Sequence, residues 1–195
     1  MYTTRQLTHR LIVQLLLTVA GVAGIAGLFL PFTFGTSPID AALDKNFWRL
    51  AIPFFLAILA SAASIRWVMS GSFSRLERAI AYIVSALSAG VTLSLWFPPF
   101  EERPVGPREW LAVVSPGPIL ALGIYFLIRN SRAAQPEKFK PVMAIQVAYL
   151  ANAAFCLIGF FGDWQRGAYC VLVASAAFVL QILLALLPER DVLNS

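Results

Sequence analysis

Long apolar runs alternate with short polar segments along the whole chain. Six runs stand out, at residues 11–31, 50–65, 79–97, 111–128, 142–161 and 168–187. A bilayer core of about 30 Å needs roughly 20 helical residues to cross it. Five runs suit that length, and the second is slightly short. Trp48 and a snorkelling Arg66 are placed to carry it to the headgroups. Strands of a membrane barrel would be about half as long and would alternate apolar with polar. The pattern predicts an all-α integral membrane protein, a six-transmembrane-helix bundle with 1–195 as a single polytopic domain. Gly24-Ile25-Ala26 has the look of a signal-peptide cleavage site behind Arg5 and Arg10. The apolar stretch runs on to Pro31, longer than a signal core, so the first run is read as a span.

Composition sharpens this picture. Of 195 residues, 59% are hydrophobic and 13% charged, with a mean hydropathy of +0.75. Soluble domains carry about 25% charged residues. The net charge of +5 does not point to nucleic acid, because the basic residues are scattered over loops without interleaved aromatics. The lipid bilayer is the expected partner.

Basic residues also set the orientation. Arg5, Arg10, Arg66, Arg75, Arg78, Arg129, Arg132, Lys138, Lys140 and Arg190 fall on one side. Lys45, Arg49, Arg103, Arg108 and Arg166 fall on the other. The excess predicts that both termini are cytoplasmic (N-in/C-in), in the plasma membrane of a bacterium. Trp48, Trp96, Trp110 and Trp164 then lie at the outer ends of helices, with Phe32, Phe34, Phe47, Phe97, Phe100, Phe160, Phe161 and Tyr169. Such a belt anchors helices at the headgroups; a second reading is an outer-leaflet pocket or partner surface. In the first outer loop, Ser37, Pro38 and Asp40 form a helix-start pattern. Ile39, Leu43 and Phe47 share one face, so a short interfacial helix is expected.

The stretch "LWFPPFEERPVGPREW", residues 95–110, invites a catalytic reading. Two glutamates, three intervening residues and then Arg, within a helix, mark CAAX-type intramembrane proteases. Here the corresponding position is Gly106, and Pro104 and Pro107 prevent a regular helix. The only histidine is His9. The stretch is therefore read as a turn. A single histidine also removes rhomboid-type Ser/His chemistry, bis-histidine haem and His-based zinc sites. Cys156 and Cys170 are not spaced as CxxC and are read as small packing residues. We expect no enzyme, no cofactor and no metal site.

No ionisable residue lies near the middle of any run, which argues against ion-coupled transport. The polar residues inside the runs are neutral, among them Thr92, Ser115, Ser175 and Gln181. On the fifth run, Gln146, Tyr149, Asn152 and Cys156 fall within about 120° of arc. On the fourth, Pro116 and Pro118 flank Gly117 and predict a kink. Broken backbone at membrane depth needs protein or water beside it. Ser115, Pro116, Pro118, Gln146, Tyr149 and Asn152 are thus expected to face one another inside the bundle, as helix packing or as a ligand site. On the first run, Ala20 with Gly24 and Ala23 with Gly27 allow close approach of another helix, of this chain or of a partner subunit.

In length, helix number and small residues on helix 1, the architecture resembles the substrate-binding S components of energy-coupling-factor transporters, without a vitamin-binding motif. That likeness implies a small-solute binding or transport component; the polar stripe and the proline segment would put its site between helices 4 and 5. The residues themselves favour a non-enzymatic accessory or scaffold subunit of a membrane complex.

Overall fold

The computed structural model describes residues 4–33, 35–43, 51–70, 72–94, 106–129 and 136–186. They form α1 (Thr4–Phe29), α2 (Pro38–Leu43), α3 (Ile52–Ser70), α4 (Arg75–Ser94), α5 (Pro107–Val114), α6 (Pro116–Arg129), α7 (Pro136–Gly159) and α8 (Arg166–Leu186). Among the described residues the one extended pairing is an isolated bridge between Thr33 and Thr36. Among the described residues, five stretches are long and apolar enough to cross a membrane: Leu11–Phe29, Arg75–Leu93, Pro107–Ile128, Phe139–Gly159 and Arg166–Leu184. The apolar part of α3, Ile52–Trp67, is shorter. Trp48, Trp96, Glu101 and Glu102 lie outside the described residues.

Local chemistry sets the ends. Pro53 sits in the first turn of α3, where no backbone donor is needed. The helix then runs past Ile65 to Ser70, and Arg66 Nε donates to Glu77 Oε1 at 2.9 Å. Ser74 and Glu77 form a reciprocal cap at the start of α4. The Glu77 N–H donates to Ser74 Oγ at 3.2 Å, and the Ser74 N–H to Glu77 Oε2 at 2.7 Å. Ser37 caps α2 in the expected manner, accepting from the Asp40 N–H at 3.3 Å. Ile39 and Leu43 on this helix are exposed.

The fourth run is two helices interrupted at Ser115. Pro116 has no N–H to give the Ala112 carbonyl. The Ser115 hydroxyl donates to that oxygen at 3.0 Å instead. Ser115 keeps helical torsions (φ −55°, ψ −34°), and its own N–H reaches Leu111 O at 2.9 Å. The interruption is a lapse in the backbone ladder that a neighbouring side chain repairs.

α7 is the centre of the bundle. Of its Phe139–Gly159 stretch 72% is buried, against 11% of Arg75–Leu93 on α4. α7 touches α3, α4, α5, α6 and α8, while α1 lies on α8 and α3. In lipid, helices gain little by hiding apolar surface from one another, so close packing decides which faces meet. Ala20, Ala23, Gly24 and Gly27 of α1 are all buried. A Cβ at Gly24 would lie 3.1 Å from the Ala57 Cβ of α3. One at Gly27 would collide with the Phe54 ring and lie 2.9 Å from the Cys170 Cβ of α8. The small-residue face of α1 is thus closed by helices of the same chain.

Among the described residues, the aromatics expected at the outer ends differ in burial. Phe32 is fully buried, edge-on to Phe54 (6.0 Å between ring centres) and to Phe160 (6.1 Å). A tight turn places it there: the Phe32 N–H donates to Thr36 O at 2.9 Å, and Gly35 takes the positive φ of +76°. Cys156 is buried, Cys170 is half-buried, and both are free thiols.

Candidate functional site

The polar face of α7 is the chemical centre of the bundle. Gln146, Tyr149 and Asn152 are 0%, 1% and 5% exposed. Gln146 Nε2 donates to Gln181 Oε1 on α8 at 2.5 Å. The Tyr149 hydroxyl donates to Val171 O at 2.8 Å and lies 3.2 Å from Ser175 Oγ, both on α8. Asn152 turns to α4, with its Oδ1 2.8 Å from Thr92 Oγ1. Its Nδ2 donates to Ala148 O at 2.9 Å, one turn back on α7. As α7 numbers rise from 146 to 149, their α8 partners fall from 181 to 175 and 171, as antiparallel helices require.

The hydrogen bonds of the stripe run to α8 and α4. Gln146 and Asn152 stand about 120° apart around an ideal helix, wide enough to address two different neighbours. α8 takes one edge and α4 the other. The proline helices still pack on α7, through Ala112 beside Gly159 and Gly123 against Val147. In between, Pro116 is buried, Ser115 and Gly117 are half-buried and Pro118 is exposed. Pro118 is thus exposed where enclosure was expected, while at Pro116 the Ser115 hydroxyl serves the Ala112 carbonyl. That carbonyl needs no polar group from across the bundle.

A second set of bonds ties the end of the bundle where α7 passes to α8. Arg108 of α5 donates through Nε and Nη2 to Gly159 O, at 3.1 and 2.6 Å, capping the last turn of α7. Its guanidinium also lies 3.5 Å from the Asp163 carboxylate. Trp164 Nε1 donates to Leu157 O at 2.9 Å. Gln165 accepts from the Gly35 N–H at 3.1 Å and gives its own N–H to Phe32 O at 3.0 Å. The Gly167 N–H reaches Pro31 O at 2.8 Å. Trp164 is therefore half-buried and bonded, flanked edge-on by Phe161 and Tyr169. Trp110, Phe161 and Tyr169 are more than half exposed.

Sequence reasoning singled out one half of each pair. Thr92, Ser175 and Gln181 were visible as polar residues inside apolar runs, each of which needs a partner in hydrocarbon. Nothing in the sequence said which helix supplied it. Arg108 passed for a loop charge, although a cation beside a helix C-terminus is favoured by the helix dipole. Among the described residues, no three His, Cys, Asp or Glu gather as a metal site. Along the polar face of α7 the arrangement is a set of neutral hydrogen bonds that join helices. No family model matches the chain, and neither a curated protein nor a solved structure does.

Proposed function

We propose that the chain is a six-helix, N-in/C-in multi-pass protein of a bacterial plasma membrane. In this reading it works as a non-enzymatic accessory or scaffold subunit of a membrane complex. The observation that carries the reading is the use made of the polar groups on α7. They join α7 to α8 and α4, which is the work of a rigid frame. The antiparallel contacts of α1 with α3, through Gly24 beside Ala57 and Gly27 beside Phe54, support counting the shorter Ile52–Trp67 stretch as a sixth span.

Native mass spectrometry after mild detergent extraction tests the reading. A retained partner chain at fixed stoichiometry is the expected result. A bare monomer carrying a small organic ligand would overturn the scaffold role in favour of solute binding.

A further inference from the structure

The α7–α8 contact contains one complete polar rung and one incomplete rung. Tyr149 with Val171 and Ser175 is complete. The Gln146–Gln181 pair is not. One amide bond joins the two side chains, yet Gln146 Oε1 and Gln181 Nε2 are buried with no partner. The two residues are 0% and 1% exposed. Exchanging oxygen and nitrogen on both amides again leaves one acceptor and one donor, so the deficit does not depend on how the amides are assigned.

We propose that this pair binds a single water molecule, which donates to the free amide oxygen and accepts from the free amide nitrogen. The chemistry selects the guest. It must carry a donor and an acceptor on one small body. An anion would satisfy only the nitrogen and a cation only the oxygen. The flanking residues Val142, Ile145, Ala177 and Phe178 are buried and apolar, with no charge to balance an ion. Water meets both needs, and buried waters commonly bridge such otherwise unmet groups. Gln146 stands seven residues into the Phe139–Gly159 stretch, about 10 Å along the helix. The water is therefore held inside the span.

NMR of glutamine-side-chain-labelled protein in nanodiscs tests this. The Gln146 and Gln181 amide signals are assigned by their loss in Gln146→Met and Gln181→Met. The double variant, which strands neither amide, serves if a single variant fails to fold. The expected result is a direct cross-peak between the free amide protons and a long-lived water. Backbone amides of Val142 and Phe178 should meanwhile remain protected in D2O, and the cross-peak should vanish in the double variant. The proposal is overturned by side-chain amides that lack a water cross-peak and are protected like the backbone, which indicates a closed amide dimer.

Discussion

Thr92 Oγ1 lies 2.8 Å from Asn152 Oδ1 on α7 and 2.8 Å from Ser88 O on its own helix. One hydroxyl proton is shared between two acceptors, one local and one sixty positions away. α4 is the least buried of the five membrane-length stretches, so this contact matters more to it than a similar bond would to α7.

Thr92→Val should loosen α4. Interhelical bonds in membranes average about 0.6 kcal/mol, but a buried acceptor left without a donor costs about 1–3 kcal/mol. Thr92→Val strands Asn152 Oδ1. The double change Thr92→Val with Asn152→Leu strands nothing and should be the more stable of the two. Reversible unfolding in mixed micelles measures the order. A double variant less stable than the single one would show that the bond is not what joins these helices.

Gly27 and Gly90 should respond oppositely to alanine. At Gly27 the new methyl meets Phe54 and Cys170, and overpacking of this kind costs about 1–3 kcal/mol. Phe54→Leu should recover part of the loss. At Gly90 a Cβ meets nothing within 4 Å, and replacing a mid-helix glycine gains about 0.5–1 kcal/mol. Melting temperatures of the two variants in one detergent decide the matter, and equal shifts would contradict the packing described for α1.

Arg108→Ala should free the N-terminal end of α5, whereas Asp163→Asn should change little. Arg108 makes two bonds to Gly159 O, but its ion pair with Asp163 is long, and both side chains are nearly half exposed. Exposed pairs contribute about 0–1 kcal/mol. Hydrogen exchange across 107–114 should rise in the first variant and stay near wild type in the second. Comparable rises in both would move the weight of the contact to the ion pair.

Asp163→Cys should react with an impermeant maleimide from outside intact cells, since this side chain is exposed between α7 and α8. Reaction only after permeabilisation would reverse the proposed orientation.

The legible part of the fold was the part written in local pattern. Run lengths gave the membrane-length helices, and Ser37-Pro38-Ile39-Asp40 gave the start of α2. The same logic at Ser74 and Glu77 was available but passed over. Pairings across the bundle were not legible. Gln146, Tyr149 and Asn152 announced that they needed partners. A polar group sixty or thirty-five positions away carries no address, and the 120° stripe fitted one neighbour as readily as two. The proline segment misled for a related reason. The cost of both prolines was assigned to the bundle, although Ser115, one residue before Pro116, had the hydroxyl to settle the carbonyl that Pro116 frees.

The central position of α7 has a consequence for biogenesis. Chains enter the membrane from the N-terminal end at about 5–20 residues per second. α4, α5 and α6 find their main contacts on α7, and α1 finds its most extensive contact on α8. The helices that emerge first thus wait in the bilayer, α1 and α3 paired with each other and α4 to α6 only loosely held. A truncation before residue 136 should leave a set of inserted segments for quality control to remove, because their common docking surface has not yet been synthesised.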